Sequence, residues 1–330
     1  MLKLNYSNYL KDVKTNIDDE FITKLNKPNF DKLKENLSQR FLRFKKQNCL
    51  FRYVFWKINT NEILLAKEND LLELINTIEN RLDKLSVKHK EIIIKKIKNL
   101  FKYKDKYQNA SLTPFFTENF NFRTCFYCNK DFITNFEKEK KDLVSTFQLD
   151  HFYDKGTYPY LALSFYNLIP SCPTCNSSKI KGTKNTFEHD SKVGKFKIEK
   201  CLKPNDEKFD FHKKVKFKLL LDDSCKNLHI KSKDDIDITL KEQFTDIYDK
   251  YIEIFKLNER YKAHKDIVYD MIQKAELYPQ SSLKELENLT GIPFQQIKKD
   301  IFNLIDENED LSKQPFSKLI VDMSKELGII

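Results

Sequence analysis

Two Cys-x-x-Cys pairs, Cys125-Phe126-Tyr127-Cys128 and Cys172-Pro173-Thr174-Cys175, constrain this chain more than anything else in it. Two thiolates at that spacing sit on one tight turn and aim at one ion. Two such turns make a tetrahedral four-sulfur cage that pulls sequence-distant segments together. The chain carries 7 cysteines, an odd number that suits thiols in a reducing compartment better than a disulfide framework. A cage of Cys125, Cys128, Cys172 and Cys175 leaves no open position for water or substrate, so its Zn2+ is expected to be structural. Cys49, Cys201 and Cys225 have no partner at ligand spacing and read as small buried hydrophobes.

Between the two pairs lie Leu149-Asp150-His151-Phe152, a loop through Lys155-Gly156-Thr157-Tyr158-Pro159, and Ser164-Phe165-Tyr166-Asn167-Leu168-Ile169-Pro170-Ser171. The second pair runs directly into Asn176-Ser177-Ser178-Lys179, with Lys181 close behind. These residue types are the parts that phosphodiester hydrolysis requires. A neutral imidazole serves as base, a carboxylate and an amide oxygen suit a hard divalent cation, and cationic groups meet phosphate. The other histidines, His89, His189, His212, His229 and His264, and the lone Trp56 take packing or surface roles.

At 330 residues and 40% hydrophobic, with 27 Phe, the chain can bury a sizeable core spread over two or three domains. Its formal net charge of +10 suits a polyanionic partner, although a Lys- and Asn-rich genome would give the same balance. Met1-Leu2-Lys3-Leu4-Asn5-Tyr6 leads into charged residues with no apolar segment behind it, and no stretch reaches about 18 uninterrupted apolar residues. Neither secretion nor membrane spanning is expected, and the location expected is cytoplasmic.

Apolar periodicity predicts helices over residues 30–44, 62–85 and 87–101, with a break around Ser111-Leu112-Thr113-Pro114. Alternation predicts strands over 196–202 and 215–221 and a short third over 228–231. Helices resume after Asp237, over 239–275, 282–289, 294–304 and 315–327. Residues 282–302 have the look of a helix-turn-helix with Gly291 at the turn. Glu287 stands where a small residue is needed for close approach, so a plain helical hairpin is the reading. The organisation expected is a helical N-terminal region over 1–112, a zinc-stapled core over 113–190, a short β-containing segment over 191–236 and a helical lobe over 237–330.

The ordered pattern Cys-x-x-Cys, Asp-His, Asn-Leu, Cys-x-x-Cys-Asn-x-x-Lys resembles the HNH endonuclease family, in its zinc-stapled, four-cysteine branch. The resemblance implies an α+β, mostly helical chain around a ββα-metal core. It further implies His151 as general base, with Asp150 and Asn176 as ligands of a catalytic Mg2+ or Mn2+. Asn167 would brace the loop that orients the base, and Lys179, with Lys181, would contact substrate phosphate. Tyr158-Pro159-Tyr160-Leu161-Ala162-Leu163, Asn258-Glu259-Arg260-Tyr261-Lys262-Ala263-His264 and Gln314-Pro315-Phe316-Ser317-Lys318-Leu319 resemble bacterial anti-phage defence HNH nucleases, the Septu nuclease subunit among them. Such proteins often act with an ATPase partner, and this chain carries no Gly-x-x-x-x-Gly-Lys-Ser/Thr loop of its own. The expectation is a metal-dependent endonuclease, with DNA favoured over RNA. The alternative is a non-catalytic zinc ribbon that binds nucleic acid or protein, which would have no need of a base beside two oxygen ligands.

Overall fold

The computed structural model describes residues 1–12, 16–27, 35–138, 142–184, 189–190, 195–196, 203–221, 230, 232–243, 246–306 and 309–330. The chain is α+β and mostly helical, with few short strands and a buried four-cysteine cluster. It divides into two compact units, one made of Lys3–Phe122 and Ile133–Phe209, the other of Met1–Leu2, Arg123–Phe132 and Asp210–Ile330.

The first unit opens with helices that asparagines start. The Asn16 side chain accepts from Asp19 N to cap α1 (Ile17–Asn26), and Asn36 with Gln39 forms a capping box for α2 (Leu37–Gln47). Asn48 caps α3 (Cys49–Val54), and Asn59 with Glu62 boxes α4 (Thr60–Leu65). The single helix predicted over 62–85 is therefore two, because Ala66 and Lys67 are extended and α5 (Glu68–Asp83) starts afresh. The break lets α4 bury Ile63 and Leu64 and α5 bury Leu71, Ile75 and Ile78. The helix predicted over 30–44 starts only at Leu37, residues 28–34 lying outside those described. The helix predicted over 87–101 is α6 (Val87–Leu100). Cys49 is exposed at the first residue of α3, contrary to its reading as a buried hydrophobe.

No helix break occurs at 111–114. A π-helical stretch, Tyr103–Leu112, runs into α7 (Thr113–Asn119), with Pro114 in the first turn of α7. Behind α7, Tyr6, Phe21, Phe115, Phe116, Phe120, Phe122 and Phe165 pack ring on ring, with Phe120 and Phe122 stacked at 5.2 Å. The Tyr6 hydroxyl donates to the Leu168 carbonyl, which fastens this aromatic core to the strand that begins there. That strand, β4 (Leu168–Ser171), pairs antiparallel with β3 (Gln148–His151), placing Asp150 opposite Ile169 and His151 opposite Leu168. A second hairpin, β1 (Asn135–Lys138) with β2 (Asp142–Ser145), was not legible in the sequence.

Beyond Cys175 the helix that a ββα core calls for is absent from the described residues 172–184, and a series of turns takes its place. Ile180 N donates to Ser177 O at 3.1 Å, Gly182 N to Ser177 O at 2.9 Å and Lys184 N to Lys181 O at 2.9 Å. Gly182 takes φ +50°, and a Cβ there would lie 3.0 Å from the Ser178 Cα, so the turn needs glycine. The pair β5 (His189–Asp190) and β6 (Lys195–Phe196) follows. The strand predicted over 196–202 is described only at Phe196, and Cys201, Cys225, His229 and most of the strand predicted over 228–231 lie outside the described residues.

In the second unit, α8 (Phe211–Lys214) leads into β7 (Val215–Leu221), the predicted strand. Its antiparallel partner β8 (Ile236–Glu242) corrects the reading of helix from 239 onward. Ile236, Ile238 and Leu240 are buried while Asp237 and Thr239 are not, a period of two. The rest of the predicted long helix breaks into α9 (Asp249–Ile254), α10 (Leu257–Lys262) and α11 (Lys265–Leu277), the first break falling at Lys256 with φ 49°. Gly291 at φ 68° joins α12 (Gln280–Thr290) to α13 (Phe294–Phe302) as a helical hairpin. On β7 packs α14 (Ser317–Glu326), whose Asp322 accepts from Phe217 N at 2.9 Å and from Lys318 Nζ at 2.7 Å. Among the described residues no helix is long and apolar enough to cross a membrane.

Candidate metal centre and active site

The sulfur atoms of Cys125, Cys128, Cys172 and Cys175 all lie within 4.8 Å of one another, and all four residues are buried. A tetrahedral ion bound at about 2.3 Å holds its sulfurs roughly 3.8 Å apart, so the set can hold a metal ion such as zinc. Local backbone shapes each turn. Cys125 O accepts from Asn129 N at 2.7 Å and Cys125 N donates to Asp131 O at 3.0 Å, while Cys175 N points at Cys172 Sγ at 3.4 Å. Asn129 takes φ 50°, a conformation asparagine tolerates better than most residues. Its buried side chain donates to Leu311 O at 3.2 Å and Gln314 O at 3.3 Å, and accepts from Ser317 Oγ at 2.9 Å and Lys318 N at 3.0 Å. Tyr261 adds a hydroxyl on Cys128 O at 2.6 Å. None of these supports has a local signal in the sequence.

His151 closes β3 and is 4% exposed. Its Nε2 lies 2.9 Å from the Ala162 carbonyl oxygen, which can only accept, so Nε2 carries the proton and Nδ1 the lone pair. Lys155 Nζ faces that lone pair at 3.4 Å, and the Tyr103 ring stands edge-on to the imidazole at 4.5 Å. Burial, reinforced by the Lys155 ammonium, pushes the imidazole pKa down to about 3, so His151 is neutral at physiological pH. Burial beside Asp150 likewise pushes the Tyr103 phenol up, and that ring stays a neutral wall.

Asn167 is fully buried behind the histidine. Its Oδ1 accepts from Tyr153 N at 2.8 Å, and its Nδ2 donates to Tyr153 O at 3.0 Å and Leu161 O at 3.2 Å. Both ends of the loop that presents the Ala162 carbonyl are thereby tied to one amide.

A cleft of about 390 Å3 is lined by Asp150, His151, Asp154, Lys155, Asn176 and Lys181, with Lys184 at its rim. Asn176 is half-buried and donates from Nδ2 to Gln148 Oε1 at 2.9 Å. Lys179 is exposed and does not line this cleft. Lys181, expected at substrate phosphate, is instead fully buried. Its ammonium meets Asp150 Oδ2 at 3.1 Å and Oδ1 at 3.2 Å, and donates to His151 O at 2.8 Å. The reason is local: the turn through Gly182 folds residue 181 back under β3, and a buried ammonium must find acceptors there. Of the residues read from the sequence as site residues, Asp150, His151 and Asn176 line one cleft, and Asn167 lies behind them. The sequence reading missed Lys155 and Tyr103. Spacing could have flagged Lys155, four residues beyond His151, but nothing marks Tyr103.

Asp150, Asp154 and Asn176 offer oxygen donors of the kind a hard divalent cation takes. Comparisons of the chain with protein-family models, with curated proteins and with solved structures return no match.

Proposed function

We propose that this chain is an endonuclease of HNH type that hydrolyses phosphodiester bonds in nucleic acid, DNA in preference to RNA, around a structural zinc held by Cys125, Cys128, Cys172 and Cys175. The observation that carries the reading is the state of His151: neutral, with its proton fixed on Nε2 by the Ala162 carbonyl and its Nδ1 lone pair directed to the cleft side where Lys155 lies. A merely packed histidine needs no lone pair oriented toward an ammonium on a cleft lined by both carboxylates and lysines.

His151 Nδ1 takes a proton from water as the water's oxygen attacks phosphorus in line and the bond to the opposite 3'-oxygen breaks, that oxygen taking a proton from solvent to leave a 3'-hydroxyl beside a 5'-phosphate. Burial and Lys155 oppose the resulting imidazolium in the free protein. An incoming phosphodiester reverses that balance by drawing the Lys155 ammonium onto its own oxygens. Asn167 keeps the loop, and hence the imidazole, in register throughout. Asp150 and Asn176 would hold a divalent cation, whose charge would offset that building on the phosphoryl oxygens. The +10 net charge supplies long-range attraction for the polyanion. The same resemblance extends the proposal to bacterial anti-phage defence beside a separate ATPase.

The test is cleavage of plasmid, linear DNA and RNA by the full chain with EDTA, Mg2+ or Mn2+, for wild type and His151→Ala. Cleavage should fall by about a hundredfold or more in the variant while thermal stability, zinc content and nucleic-acid binding persist. Unchanged cleavage by a folded His151→Ala protein would overturn the mechanism.

A further inference from the structure

The carboxylate that faces the cleft already has a cation. Both oxygens of Asp150 are within 3.2 Å of Lys181 Nζ, and the third direction of that ammonium is taken by His151 O at 2.8 Å. Asp150 is 2% exposed and Lys181 0%. Most lysines that neutralise a carboxylate do so from the surface and swing into water when a better cation arrives. Lys181 is fully buried, and three acceptors hold it.

A divalent cation bound to an Asp150 oxygen would therefore stand beside a fixed like charge in a poorly screened place, where repulsion is strong. The same pair spares the fold an uncompensated buried carboxylate. We infer that Lys181 is the resident counter-cation of Asp150, and that it sets the cleft's affinity for divalent cations by competing with them for that carboxylate. The inference rests on the reading of Asp150 as the cation-facing carboxylate of the proposed nuclease. It adds a restraint to that reading. In the free protein the cleft holds divalent cations weakly, and a metal gains the site together with substrate, whose phosphate oxygens complete the ligand set that Asp150 alone does not supply.

The measurement is Mn2+ binding to the zinc-loaded full chain without nucleic acid, read from the electron paramagnetic resonance signal of free Mn2+. Manganese is the first-row ion least able to displace zinc from four thiolates, so the cysteine site stays silent. Lys181→Met should bind one Mn2+ at least about tenfold more tightly than wild type, and Asp150→Asn in that background should abolish the gain. Lys181→Arg, which keeps the charge, should behave as wild type. Lys181→Met should also melt at a higher temperature with Mn2+ than without, whereas wild type should not. If Lys181→Met does not fold in either condition, wild type and Asp150→Asn decide the matter. Equal, weak Mn2+ binding by the two supports the inference. Tight wild-type binding that Asp150→Asn destroys overturns it, as does a folded Lys181→Met with no gain. No arm contains substrate, so the result for Lys181 stands even for a chain that cleaves nothing.

Discussion

Replacing Asn167 by Ala should unfasten the loop that holds His151 without touching the imidazole. The amide makes three hydrogen bonds to backbone, at 2.8, 3.0 and 3.2 Å, and no part of it reaches solvent. Truncation removes the acceptor of the buried Tyr153 N–H and one donor each from Tyr153 O and Leu161 O, the latter still accepting from Ser164 N at 3.1 Å. At about 1 kcal/mol for each lost bond, and more for the orphaned N–H, the cost is about 3–4 kcal/mol. For a domain of this size that corresponds to a fall in Tm of about 6–16 °C, since each kcal/mol moves Tm by about 2–4 °C. Urea titration of wild type and variant gives the first figure and a thermal scan the second. Asn167→Asp should be at least as damaging, because a carboxylate cannot donate to Tyr153 O and Leu161 O. A loss below about 1 kcal/mol in Asn167→Ala would refute the idea that this amide holds the loop.

Three further outcomes are expected. Elemental analysis should find about one zinc per chain, and Cys128→Ser should lose both metal and stability; full zinc retention would defeat the four-thiolate site. Glu79 accepts from Tyr160 at 2.9 Å, and burial holds its carboxyl above the ordinary range. Folding therefore favours its protonated form, a contribution full below the unfolded pKa and lost as pH rises through the folded one. Glu79→Gln should melt above wild type near neutrality, with the gap closing toward about pH 4, and a pH-independent gap would contradict this. Lys179→Ala should weaken nucleic-acid binding, flatten its salt dependence by about one unit of slope and cost less cleavage than loss of His151; equal and complete loss would move Lys179 into the catalytic group.

What the sequence disclosed followed from the range over which each signal acts. Cys-x-x-Cys spacing is local chemistry, and the four thiols meet as expected. Periodicity sufficed for α6, β7 and α12, whose buried faces repeat along their own residues. It failed at β8, where Ile236, Ile238 and Leu240 alternate but run into a stretch equally compatible with helix, so that pairing with β7 decided the matter. After Cys175 it was the resemblance, not periodicity, that implied a helix, and the turn through Gly182 stands there instead. The partners of Asp150 and His151 were the least legible. Lys181 read as a contact to substrate phosphate until the fold buried it against Asp150, and Tyr103 reaches the imidazole from a π-helical stretch that nothing in the sequence marks.

The supports of Asn129 also order events in time. The first cysteine turn emerges from the ribosome early, but Ser317 and Lys318, which hold the amide beside Cys128, come 188 and 189 residues later. Cys172 and Cys175 are themselves made before those partners. Between the synthesis of Cys175 and that of Ser317, then, all four thiols exist while the backbone beside Cys128 lacks its clasp, and a metal bound at that stage would lack that support. The clasp on Asn129 closes only when α14 arrives. Synthesis of α14 is thus the step at which a metal held by the four thiols would gain its full backbone support.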